Sequence, residues 1–231
     1  MKLSIVIPCY NESDSIDLLI DKLIKILKND IEIILVDNGS TDSTFDKFKS
    51  LNLPENIKVL KIEKNLGYGN GIIQGLKSTI GEIVSWTHAD LQTDPGDVIK
   101  GYEKHKQDLI NKKCIVKGKR KKRSFREQII TSGMSLYCSI ILKEKLLDIN
   151  AQPKLFHRSF IDLLTSPPLD FSLDLYLLYF FKKQKIKINS IPVYFDKRAH
   201  GEAKGGGGNI FGKIKIITNT IKYVNKLKKE F

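Results

Sequence analysis

The chain has 231 residues, of which 41% are hydrophobic and 28% charged, and this composition excludes a wholly disordered protein because it can build a sizeable core. Its 39 lysines and arginines outnumber its 26 aspartates and glutamates, so the formal net charge is +13. A balance this basic favours anionic partners, such as nucleic acid, anionic lipid head groups or phosphorylated substrates.

The N-terminal residues and the cysteines predict a cytoplasmic protein. The first apolar run is too short for a signal peptide and ends at Pro8. No segment offers the roughly 20 uninterrupted apolar residues of a spanning helix, so we expect a soluble or peripheral chain. Cys9, Cys114 and Cys138 lack metal-ligand or redox spacing, which is typical of reduced thiols in the cytosol.

Short apolar runs alternate with helical patterns through the first hundred residues. Buried strands are predicted at Leu3–Ile7, Ile31–Val36, Ile57–Ile62 and Glu82–Trp86. Three helices are predicted between them. Ser13 or Asp14 caps the first, Thr41 or Asp42 caps the second, and the third follows the glycine-rich stretch 67–75. This alternation indicates a parallel sheet wound with helices. Ligands of such sheets bind beyond the carboxyl ends of the strands, which directs attention to the loops there.

The second half is more basic and less regular. Residues 112–126 contain nine cations and no acid. The patterns that follow predict an apolar helical stretch from Gln128 to about Leu147, a loop around 151–153, a helix near Leu173–Lys182 and a strand at Ile186–Tyr194. Beyond the tetraglycine 205–208, apolar residues surrounded by lysines recur at helical spacing and predict a basic amphipathic helix: Ile210, Ile214, Ile217, Ile221 and Val224.

The loops after strands one and two carry polar groups suited to a nucleotide. Leaving a strand through Pro8 frees backbone groups to meet a planar ligand; Tyr10 follows, and Asn11 and Glu12 supply polar contacts. Asp37, at the end of strand two, is placed to accept hydrogen bonds from ribose hydroxyls or a base N–H. Ordinary turn chemistry explains both loops as well, and Asp42 reads as a helix cap.

The loop after strand four carries His88, Asp90 and Gln92. On an extended stretch these three side chains project to one side, so an imidazole, a carboxylate and an amide oxygen converge. Mg²⁺ or Mn²⁺ binds such oxygens together with phosphates and water. One carboxylate suffices when a pyrophosphate brings its own charge. The alternative is a loop with incidental polar residues.

Taken together, the motifs resemble the family 2 glycosyltransferases, and in particular their dolichyl- and polyprenyl-phosphate sugar synthase branch. The matching segments are 8–12 (P-x-Y-N-E), 37–42 (D-N-G-S-T-D), the glycine-rich stretch 67–75 and 88–92 (H-A-D-L-Q). The resemblance implies an α/β fold of the glycosyltransferase A type with a mostly parallel sheet. It also implies that Asp37 and Asn38 hold the nucleoside, while Asp90 and Gln92 hold the metal and pyrophosphate.

Two residues depart from that family pattern. Asn38 stands where many members have a second aspartate, which leaves the base preference open. His88 replaces the first carboxylate of D-A-D, and imidazole suits Mn²⁺ better than Mg²⁺. The cofactor expected is therefore a divalent ion, Mn²⁺ or Mg²⁺. His88 could also weaken the metal dependence, and a pseudoenzyme is a further alternative.

The second half resembles the same family more loosely, and the resemblance implies an acceptor-phosphate site. Its candidates are the cations Arg120, Arg126, Arg198 and Lys204, since guanidinium grips phosphate in a bidentate manner. Surface solubility is the alternative interpretation of the neighbouring lysines. A phosphate acceptor is already anionic and needs no general base, whereas a hydroxyl acceptor does. Asp174 is the candidate base, and a structural or solvated carboxylate is the alternative there.

The sequence thus predicts an inverting, metal-dependent sugar transfer from a nucleotide sugar to an acceptor at the membrane surface, with polyprenyl phosphate as the favoured acceptor. We expect a donor half (1–112), an acceptor half (113–204) and a hinge with an amphipathic helix (205–231). The basic tail favours a peripheral place at the inner face of the membrane, in cell envelope biosynthesis. Transfer to a glycan or lipid hydroxyl, and a non-enzymatic basic anion-binding protein, remain alternatives. No motif points to nucleic acid.

Overall fold

A mixed β-sheet forms the centre of the computed structural model, which describes residues 1–122, 125–194 and 210–230. Within those residues the strands are β1 (Leu3–Cys9), β2 (Ile31–Asn38), β3 (Ile57–Ile62), β4 (Ile83–Trp86), β5 (Cys114–Lys121), β6 (Lys154–His157) and β7 (Lys187–Tyr194). Their order is β3-β2-β1-β4-β6-β5-β7. Only β6 runs antiparallel to its neighbours β4 and β5, so the prediction of a mostly parallel sheet is confirmed.

Helices cover both faces of the sheet. In chain order they are α1 (Ile16–Ile26), α2 (Thr44–Ser50), α3 (Tyr68–Lys77), α4 (Gly96–Ile110), α5 (Phe125–Leu142), α6 (Leu173–Lys183) and α7 (Ile210–Glu230), with a 3-10 helix at Arg158–Leu163. One apolar core joins the sheet to α1, α2 and α4. The other joins it to α3, α5, α6 and α7. The molecule is therefore a three-layer α/β sandwich.

The central strands form because both of their faces are apolar. All eight residues of β2 are buried. Successive side chains of a strand point to opposite faces, so Ile33 and Leu35 enter one core while Ile34 and Val36 enter the other. Each such side chain contributes about 1.5–3 kcal/mol on burial. This two-sided burial holds the carboxyl ends of β1, β2 and β4 side by side.

Three elements differ from the predictions. The basic segment contains β5, whose first five residues are buried, and the strand β6, which was not predicted, follows directly on the loop expected around 151–153. Helix α4 was not predicted at all. The helix starts also differ: α1 begins after Ser15 and α2 after Ser43, although Asp42 still accepts a hydrogen bond from the Thr44 amide at 2.9 Å.

Helices α5 and α7 each have one buried and one exposed apolar face. On α5 Cys138 and Leu142 are buried, whereas Leu136 and Ile140 are 62% and 64% exposed. On α7 the predicted stripe divides, because Val224 is fully buried while Ile214 is 54% exposed. Among the residues that the structure describes, no helix has the length and apolarity needed to cross a membrane.

Candidate active site

The loops after β1 and β2 are held together by Asn11. Its side-chain Oδ1 accepts a hydrogen bond from the Thr41 backbone N–H at 2.7 Å, and its backbone N–H donates to Ser40 Oγ at 3.0 Å. The left-handed backbone of Asn11 (φ 54°) makes this contact possible. Asn11 therefore fixes the two loops that carry the predicted donor-binding residues. Those beside it, Pro8, Tyr10 and Glu12, are partly buried.

Asp37 and Asn38 end β2 with different surroundings. Asp37 is 1% exposed, and its Oδ1 accepts a hydrogen bond from the Ser40 amide at 3.1 Å. Asn38 donates from Nδ2 to the Gly67 carbonyl at 3.0 Å, and its amide packs against Gly71, where a Cβ would lie 2.9 Å from Asn38 Cγ. The Asn38 amide nitrogen thus supports the start of α3, while its Oδ1 is buried without a hydrogen-bond partner among the described residues.

The helix predicted to follow the glycine-rich stretch 67–75 begins within it, at Tyr68, and the first glycines of the stretch contact the second half of the chain. A Cβ on Gly67 would lie 2.3 Å from the Leu169 carbonyl oxygen, and one on Gly69 would lie 2.4 Å from the Pro168 carbonyl oxygen. The Asn70 amide donates to the Leu169 carbonyl at 3.0 Å. These glycines admit the backbone of loop 168–170, so their small size serves packing within the chain.

The loop after β4 is bent, not extended. Asp90 Oδ1 accepts a hydrogen bond from the Gln92 amide at 3.0 Å, and Leu91 adopts a left-handed backbone (φ 57°). The prediction that His88, Asp90 and Gln92 project to one side of an extended stretch is therefore wrong. In the described part of the chain, no three His, Cys, Asp or Glu side chains are grouped to hold a metal ion by themselves.

An aromatic stack that the sequence analysis missed lies beside this loop. The Tyr68 ring stacks on His88, with centroids 5.8 Å apart, and on Phe171, with centroids 4.7 Å apart. Burial raises the pKa of Tyr68 well above its ordinary value, and the charges of Asp174 and then Asp90 raise it further. An aromatic residue between two glycines at the start of a helix was the available signal.

Asp174 lies in the interior, in a buried ion pair with Lys154. The side chains of Lys154 and Asp174 are 0% and 2% exposed. The Asp174 carboxylate also accepts a hydrogen bond from Gln152 Nε2 at 2.9 Å. Burial lowers the pKa of Lys154, and the Asp174 charge partly offsets this effect. A carboxylate so enclosed and paired holds the fold together, which argues against the predicted role of general base.

Arg120 is bound to Asp148 from both its side chain and its backbone. Arg120 Nε and the Arg120 amide donate to the two carboxylate oxygens at 2.8 and 2.7 Å. Burial alone would raise the pKa of Asp148, but the charge and hydrogen bonds of Arg120 outweigh burial and lower it. Arg120 is thus a fixed guanidinium whose orientation Asp148 sets. Arg198 and Lys204 lie outside the described residues, as does the side chain of Arg126 on α5.

A cavity of about 740 Å³ opens between the end of β5, one face of α5 and the segment that follows α5. Serine and threonine hydroxyls line it together with the side chains of Leu136, Ile140 and Leu147. Its lining cations are Lys119, Arg120, Lys121, Lys122, Lys143 and Lys145. The cavity, hereafter the cationic groove, combines positive charge with an apolar border.

Comparison with known proteins gives matches along most of the chain. Residues 4–163 match glycosyl transferase family 2. A dolichol-phosphate mannosyltransferase of Pyrococcus furiosus is 28% identical over 98% of this chain and 66% of its own length. An undecaprenyl-phosphate 4-deoxy-4-formamido-L-arabinose transferase of Yersinia enterocolitica is 33% identical over 48% of this chain and 40% of its own. The chain therefore spans less than two thirds of the length of either relative.

The fold has solved counterparts. Glucosyl-3-phosphoglycerate synthase from Mycobacterium tuberculosis in complex with uridine-diphosphate superposes with a TM-score of 0.75 at 19% identity, covering 99% of this chain and 80% of that one. The same enzyme in complex with Mn²⁺, uridine-diphosphate and glucosyl-3-phosphoglycerate gives a TM-score of 0.72. At such low identity the likeness shows the fold alone, and it confirms the predicted α/β class.

Proposed function

Because the chain belongs to glycosyl transferase family 2, we propose that it transfers a sugar from a nucleotide diphosphate donor to a polyprenyl phosphate at a membrane surface. The observation that carries the proposal is the pairing of two sites. Carboxylates lie at the carboxyl ends of β2 and β4, and a cationic groove lies beyond the end of β5. The relatives, a dolichol-phosphate mannosyltransferase and an undecaprenyl-phosphate sugar transferase, support polyprenyl phosphate as the acceptor.

Asp37 and Asp90 are the residues proposed to meet the donor. Asp37 ends β2, where a buried carboxylate is suited to ribose hydroxyls. Asp90 follows β4, with one oxygen already oriented by the Gln92 amide at 3.0 Å. Both lie at the edge of a parallel sheet where α/β proteins bind nucleotides.

The side chains near Asp90 fit a divalent cation that binds together with the nucleotide sugar. Asp90 supplies a carboxylate as one ligand. The side-chain oxygen of Gln92 and the imidazole of His88 are the further ligands proposed. Stacking on Tyr68 occupies a face of the His88 ring, whereas its nitrogens lie in the ring plane. Among the described residues no three His, Cys, Asp or Glu side chains are grouped around one point, and the diphosphate is proposed to complete the coordination. When bound, the ion would neutralise charge on the leaving diphosphate.

Arg120 and the lysines of the cationic groove are proposed to position the acceptor phosphate. Asp148 holds the Arg120 guanidinium in place, and a fixed guanidinium is suited to bidentate contact with phosphate. A phosphate monoester is already an anion at neutral pH, so it attacks the anomeric carbon without a general base. Direct displacement inverts the anomeric configuration. The buried position of Asp174 is consistent with this base-free reaction.

The decisive experiment is a transfer assay with matched carboxylate variants. The full chain is incubated with UDP-, GDP- or dTDP-sugars, Mn²⁺ or Mg²⁺, and either a short polyprenyl phosphate or a saccharide. We expect a lipid-linked product, and Asp90→Asn should lower its rate at least about 100-fold, since removing a single charge-stabilising group costs that much in other enzymes. Asp46→Asn on the exposed side of α2 is the control.

The alternatives give different results in this assay or in binding measurements. If the sugar is transferred to the saccharide and not to polyprenyl phosphate, the acceptor group is a hydroxyl. A basic protein without catalytic function would bind anionic vesicles yet gain no thermal stability from any nucleotide sugar, although a ligand that binds the folded state must raise its stability.

A further inference from the structure

Tyr68 lies where the two halves of the proposed site meet. Its stacking partner His88 follows β4 on the donor side, while Phe171 belongs to the segment before α6. Its hydroxyl oxygen accepts a hydrogen bond from Gln152 Nε2 at 3.1 Å. The side chain as a whole is only partly buried. Tyr68 is therefore held by two stacked rings and by a hydrogen bond at its oxygen, while part of its side chain stays accessible.

The hydrogen-bond pattern leaves the Tyr68 hydroxyl as a donor. A tyrosine hydroxyl carries its proton at neutral pH and can both donate and accept a hydrogen bond. The oxygen already accepts from Gln152, and no described residue accepts the hydroxyl hydrogen. Since buried and half-buried hydroxyls are normally paired, a ligand or water is expected to take this hydrogen.

An unpaired acceptor lies on the neighbouring amide. Gln152 is 1% exposed, and its Nε2 faces the Asp174 carboxylate at 2.9 Å, which fixes the orientation of the amide. Gln152 Oε1 is then buried without a partner within residues 1–122, 125–194 and 210–230. A donor and an acceptor next to each other suit a ligand hydroxyl, which accepts one hydrogen bond and donates another. A phosphate oxygen only accepts.

We propose that the Tyr68 hydroxyl donates a hydrogen bond to a hydroxyl of the sugar being transferred, with Gln152 as the second partner. This assignment rests on the proposed function, in which the diphosphate is near Asp90 and the acceptor phosphate near Arg120. The group between those two anions is the sugar. Tyr68 would accordingly help to select the donor by its sugar and not by its nucleotide.

The test separates sugar binding from nucleotide binding. Titration calorimetry with Mn²⁺ compares UDP with UDP-glucose, and GDP with GDP-mannose, for the wild type and for Tyr68→Phe, which keeps the stacked ring and removes only the hydroxyl. We expect affinity for the bound sugar nucleotide to fall about three- to tenfold, the loss typical of one neutral hydrogen bond. Affinity for the corresponding nucleoside diphosphate should stay within about twofold.

Tyr102→Phe on α4 is the matched control, because Tyr102 belongs to the core on the opposite face of the sheet. It should leave all affinities unchanged. An equal loss for both ligands, or no loss for the sugar nucleotide, would overturn the role of Tyr68 while leaving the proposed function intact. Failure of the wild type to bind any sugar nucleotide would overturn the proposed function and this inference together.

Discussion

Lys117 shows how burial changes a lysine in this fold. The residue is 4% exposed, and its Nζ donates to the carbonyls of Gly118 and Asp148 at 2.9 and 3.0 Å. Burial, followed by the charge of Lys154, lowers the pKa of Lys117 to about 7 from an ordinary 10.5. Lys117 therefore spends part of its time uncharged near neutral pH, when it still donates hydrogen bonds to the loop that carries Asp148.

The lowered pKa predicts a pH-dependent stability. Between about pH 7 and 10.5 the unfolded chain binds more protons at Lys117 than the folded chain, so the free energy of unfolding rises with pH. Relative to Lys117→Met, we expect the wild type to gain about 2 kcal/mol between pH 7 and 9, from 1.36 kcal/mol per pKa unit. Urea denaturation at both pH values measures this gain.

Lys119→Met provides the control for that experiment, because Lys119 is exposed on the same strand. Its free energy of unfolding should follow the wild-type pH dependence. If Lys117→Met follows it too, the pKa of Lys117 is not lowered in the folded protein.

The position of Asp90 could be predicted from the sequence, but its conformation could not. Residue type and place after a buried strand locate this carboxylate at the binding edge of the sheet. The orientation of the Asp90 side chain depends on the left-handed backbone of Leu91 and on the Gln92 backbone N–H. Neither leucine nor glutamine is a typical turn residue, so the sequence does not predict this turn. The partners of Asp174 could not be predicted either, because Lys154 and Gln152 contact it only in the folded chain.

At the scale of elements, prediction succeeded where a strand is buried on both faces. β1, β2 and β4 are buried, nearly continuous apolar runs, and the edge strand β3 keeps apolar residues around its two exposed lysines. By contrast, β5 ends in exposed lysines and β6 has only four residues. Helix α4 buries few apolar side chains, and its lysines obscure the helical period. For α5 and α7, periodicity could not separate core packing from surface contact, because each helix does both.

The ion pair between Lys154 and Asp174 joins β6 to α6 and predicts a large coupling. Lys154→Met leaves a buried carboxylate without its cation, and the loss of one partner of a buried pair typically costs about 3–5 kcal/mol. The double variant Lys154→Met/Asp174→Leu should recover most of that loss, because no unpaired charge remains. Urea denaturation of the single and double variants measures the coupling. Additive losses would show that the two side chains act independently.

At the scale of the whole molecule, the exposed apolar side chains and the net charge of +13 predict binding to anionic vesicles. Ile214 is 54% exposed on α7, so Ile214→Glu should weaken vesicle binding several-fold, with little change in the free energy of unfolding. Asn219→Glu adds the same charge to another face of the helix and is the control. Co-sedimentation with phosphatidylglycerol vesicles measures both variants.

Two results would contradict the prediction that α7 inserts into anionic vesicles and that charge attracts the protein to them. Equal weakening by Ile214→Glu and Asn219→Glu would mean that charge alone attracts the protein, without insertion of α7. Binding that is insensitive to salt would exclude the electrostatic contribution, since screening acts over about 10 Å at 0.1 M ionic strength.

The close backbone contact of Gly67 and Gly69 with loop 168–170 has a consequence for engineering and for sequence drift. The two halves of the chain touch there without any side chain between them. A chimaera that exchanges residues 1–112 for those of a relative must therefore inherit glycine at both positions, or bring its own matching loop. Residues 1–112 cannot be exchanged freely, because their main chain is in direct contact with that of loop 168–170.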